Sequence, residues 1–256
     1  DSSGSRGVSK ITSMGELEAA VQYAMEFSPS KKVIVEEFIE GIELGALTFS
    51  VDGKMVYCFV HNDKVLKIVP VGHSFPSILP IERVERVQNE CKKAITSLGI
   101  KNGPCYVDLI IDTNGIPFVI EVGARLAATK LPEIINLYSG IDLVALTVQL
   151  ASGQKVECSP VTRSEAVAVE MINFDHDGII KKIGDLSLLI QKYQPTDFEL
   201  YLSEKQSIAR LKSGRDHYGY VIFTGKSAAE AEKKCTQFLH ELKKEILFQP
   251  LSMESI

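Results

Sequence analysis

From Ser13 to Phe27 the apolar residues Leu17, Ala20, Val21 and Ala24 recur at helical spacing, and Ser13 with Glu16 makes a capping box ahead of them. The pattern predicts a helix there. After Ser28-Pro29-Ser30 the period changes, and the β-branched run KVIVEEFI, residues 32 to 39, predicts a strand that enters a turn at Gly41. LGALTFSV and KMVYCFV are two further strands separated by Asp52-Gly53, a residue pair suited to a two-residue hairpin turn. Pro70, Gly72, Pro76 and Pro80 break up residues 61 to 80, which read as a loop. A helix follows, its face marked by Val84, Val87, Cys91, Ala94, Ile95 and Leu98 and its end by Gly99. YVDLIID and PFVIEVG then form a strand pair around Asn114-Gly115. Pro132 opens a short helix that Gly140 closes, and Asp142 caps another that Gly153 ends.

The polar segment from Gln154 to Ser164, which holds Pro160, divides the chain into an expected first domain at residues 1–158 and a second at 164–250. In the second, AVAVEMINF, FELYLS and YGYVIFTG read as strands. Ser227 to Ile246 reads as a helix with its own S-x-x-E box and a stripe of Ala231, Cys235, Phe238, Leu239, Leu242 and Ile246. The tail after Leu247 is expected to be loose. The fold class is α+β, antiparallel sheets with helices, followed by a small α+β domain.

Composition narrows the function. With 45% hydrophobic and 24% charged residues the chain is of ordinary globular type, and its net charge of -5, with no Lys/Arg stripe, gives no reason to expect nucleic acid. Five scattered cysteines (Cys58, Cys91, Cys105, Cys158 and Cys235) without a C-x-x-C pair argue against a disulfide framework or zinc site. No apolar run approaches the ~20 residues of a membrane span, so no membrane partner and a cytoplasmic location are expected.

The chemistry concentrates at Asn114-Gly115. With those two residues as the loop, Asp108 falls directly opposite Glu121, and both share one face with Ile110 and Val119. Facing carboxylates that are partly desolvated must share a proton or take up a cation, and hard oxygen donors suit Mg²⁺. Arg125, four residues after Glu121, is placed to reach anionic charge gathered around a metal. At the other end, DSSGSRGV carries Gly4 and Gly7, which permit N-H groups to cradle phosphate but equally suit a cloning remnant. The acidic end of the first strand is placed to meet an adenine amino group or a ribose hydroxyl, or forms a solvated rim.

Taken in order, GSRGV, VIVEEFIEGIEL, GHSFPS, and YVDLIID with FVIEVGAR resemble the ATP-grasp superfamily of carboxylate ligases over about residues 1 to 155. DGIIKKIGDL and HYGYVIFTGKSAAEAE look like the end domain of the L-amino-acid ligase branch. The resemblance implies an ATP-grasp fold using ATP and Mg²⁺, or Mn²⁺ in its place, to join small-molecule carboxylate and amine substrates, with a homodimer as one arrangement. It makes Gly4, Ser5 and Gly7 the phosphate lid, Glu36, Glu37, Phe38 and Ile39 the adenine hinge, and Glu43 the ribose partner. It makes Asp108 and Glu121 metal carboxylates, Arg125 the arginine steadying an acyl phosphate, and His73 a residue near the substrate. Two departures stand out. Gly123 occupies a position often held by a metal-binding Asn, and the chain begins after the Lys-Pro strand and N-terminal domain of the family, as a fragment of a longer ligase would. A carbamoyl-phosphate-synthase-like or thioester-forming ligase, and a noncatalytic nucleotide-binding module, are the competing expectations.

Overall fold

The structure, a computed structural model, describes residue 2 and residues 4–250. A turn of 3₁₀ helix at Met14–Glu16 leads into α1 (Leu17–Phe27), whose predicted stripe is its half-buried face. The capping box forms only in part and one residue early. Ser13 makes no side-chain cap bond, while the Glu16 carboxylate accepts from the Thr12 N-H at 2.8 Å.

Residues 31 to 40 form no regular element and pair with no strand among the described residues, which corrects the strand expected at 32 to 39. Ile34 is 81% exposed and Val35 67%. β-branched composition favours a pleated, half-buried surface, and here no neighbour supplies one.

The next four strands are β1 (Gly41–Val51), β2 (Lys54–Leu66), β3 (Val69–Phe75) and, after α2 (Ile81–Ser97), β4 (Gly103–Asp112). Asp52 and Gly53 form the β1–β2 turn, both with positive φ as a two-residue hairpin requires. Within the loop expected at 61 to 80, residues 61–66 end β2 and Val69–Phe75 are β3, while 76–80 are irregular as expected. Pro70 sits where the β2–β3 register shifts, so its missing N-H breaks no regular ladder. Gly72 lets β3 approach its neighbour closely, for a Cβ there would lie 2.6 Å from the Val169 carbonyl oxygen. The residues that signalled a loop are the devices by which this strand is accommodated.

β5 (Pro117–Gly123), α3 (Leu131–Ser139) and α4 (Leu143–Ala151) follow as expected, with Gly140 left-handed after α3 and Asp142 capping α4 through the Ala145 N-H. Beyond an irregular stretch at 152–165 come β6 (Ala166–Met171), β7 (Gly178–Ile183), α5 (Ser187–Tyr193), β8 (Asp197–Leu200), β9 (Ser207–Ile208), β10 (Gly219–Gly225), α6 (Ala228–Lys244) and β11 (Ile246–Pro250). Here the serine half of the second capping box forms: Ser227 Oγ accepts from the Glu230 N-H, while Glu230 accepts from the Lys226 N-H, again one residue before the cap. The tail expected to be loose is β11, paired to β7 through Pro250; residues 251–256 lie outside the described part.

Eight strands make one sheet in the order β5-β4-β1-β2-β3-β6-β10-β8, and β11-β7-β9 make a second. The fold is α+β with antiparallel pairing throughout, as the sequence pattern predicts. Three cores hold it. α2 covers one face of β1, β2 and β4 through Val87, Cys91 and Ile95. α3 packs on the other face against Phe49, Phe59 and Phe75, and α6 covers β6 and β10 through Cys235, Phe238 and Leu239.

Candidate active site

The β4–β5 hairpin closes on a loop one residue longer than expected. Asp112 N-H donates to the Ile116 carbonyl, so Thr113, Asn114 and Gly115 all lie in the loop, with the Asp112 carboxylate accepting from the Asn114 and Ile116 N-H groups. Gly115 takes φ +81°. Alone, that odd loop would put Asp108 opposite Ile120 and turn Glu121 to the far side of the sheet. The register then shifts between Asp108 and Leu109, where Ile120 is the extra residue, and Asp108 pairs with Glu121 after all. The longer loop, before the shift, puts Val119 opposite Leu109, into the core beneath α2 rather than onto the carboxylate face.

That face gathers more than the pair. Asp108 and His61 both pair with Gly45, from either side, and Asp63 pairs with His73. Gly45 is the opening that permits this, since a Cβ there would lie 2.6 Å from the His61 ring and 2.8 Å from the Tyr106 hydroxyl. Tyr106, two residues before Asp108, stacks on His61 with centroids 5.8 Å apart. Burial, then the charges of Asp63 and Glu121, push the Asp108 carboxyl up to about 6. Burial also raises the Tyr106 phenol and, with help from Asp63, the Glu43 carboxyl.

Asp63 behaves oppositely. Burial alone would raise it, but His61 and His73 outweigh burial and hold it well below the usual carboxylate range. His73 Nδ1 lies 2.5 Å from Asp63 Oδ1, and its Nε2 lies 2.5 Å from Thr129 Oγ1. Burial lowers the His73 pKa despite Asp63, which favours the neutral ring. His61 Nδ1 is 3.0 Å from the same oxygen but poorly directed, and neither His61 nitrogen makes a hydrogen bond. His73 therefore sits on a strand, 3% exposed, rather than in the expected loop.

Arg125 is exposed just past β5, its guanidinium carbon 6.0 Å from the Tyr106 ring centre. The chain after it, Leu126 to Lys130, lines a cleft of about 380 Å³ with Pro132, Glu133, Val144, Met171 and Tyr201. Thr129 and Lys130 both have positive φ, 55° and 61°. Among the sequence candidates, Glu43, Asp108 and Glu121 lie on the sheet face that also carries Asp63 and His73, and Arg125 lies beside Tyr106; none of them lines the cleft itself. Gly4, Ser5 and Gly7 form a left-handed turn instead at the β2–β3 tip, where Ser5 Oγ donates to the Ile68 carbonyl. Glu36, Glu37, Phe38 and Ile39 lie in the irregular segment before β1, with the Lys10 ammonium 3.5 Å from the Phe38 ring centre. Gly45, His61, Asp63, Tyr106 and Thr129 were not singled out from sequence. Tyr57, Phe59, His61 and Asp63 continue one alternation, a signal hidden by reading residue 61 as the start of a loop.

A family model of the ATP-grasp domain matches residues 1–129, half of the chain. The chain belongs to the ATP-grasp family. This ATP-grasp chain is 27% identical over 245 residues to the uncharacterized protein y4rH of Sinorhizobium fredii, a match that takes in 90% of the chain and 48% of that protein. Among solved structures, L-amino acid ligase from Bacillus licheniformis aligns with TM-score 0.74 and 23% identity, over 94% of this chain and 61% of that one. Phosphoribosylglycinamide synthetase from Anaerococcus prevotii aligns with TM-score 0.70 and 24% identity, over 93% and 61%. The chain thus spans about half to three fifths of the length of these relatives. No single described helix is long and apolar enough to cross a membrane.

Proposed function

We propose that this chain carries the metal-nucleotide face of an ATP-dependent carboxylate-amine ligase, in which a carboxylate is activated by ATP as an acyl phosphate and passed to an amine. The observation that carries the reading is the register pair Asp108–Glu121. Two hard oxygen donors pair across the ladder, and burial together with the charges of Asp63 and Glu121 raises the proton affinity of Asp108, an environment in which a cation would be favoured. Such a pair suits Mg²⁺, with Mn²⁺ as substitute, which takes one or two carboxylates and fills its remaining positions with water and phosphate oxygens. Bound there, the cation would neutralise charge on the transferring phosphoryl group.

The protein's own groups do the rest by position. Arg125, exposed at the end of β5, offers a planar fork of donors to the anionic acyl phosphate. By the family resemblance Gly4, Ser5 and Gly7, at the β2–β3 tip, would offer backbone N-H groups to phosphate, Glu36 to Ile39 would border the adenine, and Glu43 would meet the ribose. The cleft behind Arg125 takes the acyl and amine substrates. ADP release by the intact protein, measured over a panel of carboxylates and amines, tests the reading. Glu121→Gln should remove most turnover; near-normal ADP release by that variant, or none by the wild type on any pair, rejects it.

A further inference from the structure

The groups behind the cleft form a chain that the phosphoryl chemistry does not use. Asp63, its side chain 7% exposed, meets His73 Nδ1 at 2.5 Å, and His73 Nε2 meets Thr129 Oγ1 at 2.5 Å. His61, Asp63 and His73 are a metal-binding set by residue type. Yet the Asp63 oxygen and the His73 nitrogen are closer than the ~3 Å between neighbouring ligands on an ion with ~2.1 Å bonds at right angles. Their contact is a hydrogen bond. Because the carboxylate accepts, Nδ1 carries the proton, and in the neutral ring Nε2 is then an acceptor. The Thr129 hydroxyl must donate to it, which leaves the Thr129 oxygen with lone pairs only.

Thr129 lines the 380 Å³ cleft, and it holds φ +55° next to Lys130 at +61°, a costly backbone for a β-branched residue unless something over-determines it. The bond to His73 is that restraint. We propose that Asp63 and His73 are positioning residues that fix Thr129 as a hydrogen-bond acceptor for the N-H of the amine substrate. This rests on the ligase reading. His73 acts through Thr129 rather than on substrate directly, in keeping with its burial.

Nitrogen-15 NMR of the histidine rings in the ligand-free protein should find His73 neutral with its proton on Nδ1, far downfield, and Asp63→Ala, which removes the acceptor, should abolish that resonance. Thr129→Val should keep it, speed amide exchange at residues 126–131 roughly tenfold or more, and raise KM for the amine about as much while leaving KM for ATP unchanged. Thr129→Ser should restore both. An Nε2-protonated His73, unaltered exchange and amine KM in Thr129→Val, or a cobalt(II) visible band lost in His61→Ala would each overturn the proposal. Absence of any wild-type turnover would instead refute the ligase reading, with the NMR result unaffected.

Discussion

Asp108 is a destabilising residue if its carboxyl is as strained electrostatically as its surroundings require. Burial and the neighbouring charges raise it from 3.8 to about 6 in the folded chain. A group whose folded pKa lies above its unfolded value binds its proton more tightly in the native state. Its contribution is therefore harmless below about pH 4 and turns unfavourable as pH climbs toward 6 and beyond. A two-unit rise corresponds to ~3 kcal/mol at pH 8, from 1.36 kcal/mol per unit. Asp108→Asn removes the charge at nearly unchanged shape, so most of that strain should be recovered. For a chain of this size ~2–3 kcal/mol amounts to a rise in melting temperature of roughly 4–12 °C. The assay is thermal unfolding of wild type and variant without metal at pH 4 and pH 8. The variant should be the more stable at pH 8 and gain little at pH 4, and Mg-ATP should raise the melting point of the wild type alone. A variant equally or less stable at pH 8, or an advantage independent of pH, would refute the electrostatic account of the site.

Asp63 should titrate with the opposite sign. Its depressed carboxyl contributes stability above the ordinary aspartate value that is lost as pH falls, so Asp63→Asn should be destabilising at pH 7 and converge with wild type in acid-unfolding curves below about pH 4. Gly45→Ala should cost about 1–3 kcal/mol in denaturant unfolding, because the new methyl meets the buried His61 ring and the Tyr106 hydroxyl. Ser227→Ala should cost ~1 kcal/mol through its lost cap, while Ser13→Ala, whose hydroxyl caps nothing, should stay within about 0.5 kcal/mol. Equal losses at the two serines would contradict the capping geometry.

Much of this was legible because local rules and the tertiary fold agree. Asp52-Gly53, Gly140, Asp142 and the Ser227 box each sit where their backbone chemistry requires. The carboxylate pair was legible for a less secure reason. The loop is one residue longer than Asn114-Gly115 implies, and the shift at Ile120 restores the pairing, two departures that offset each other. Residues 32 to 39 went the other way, since pairing depends on a neighbour and not on Val33, Ile34 and Val35 alone. β3 was hidden by its prolines and glycine, whose fit depends on a register shift and on the Val169 carbonyl across the ladder. Losing β3 also hid the Asp63–His73 contact, which exists only once the two strands pair.

The junction of β3 with β6 has a practical consequence for anyone dividing the molecule. The irregular, largely exposed stretch at 154–164 invites a cut, yet the segments on either side share main-chain bonds from Gly72 to Phe75. Severing the polypeptide there should leave two pieces clinging to one another through that seam. Producing either piece alone would bare a sticky border rich in valine, the kind of margin along which copies stack and precipitate.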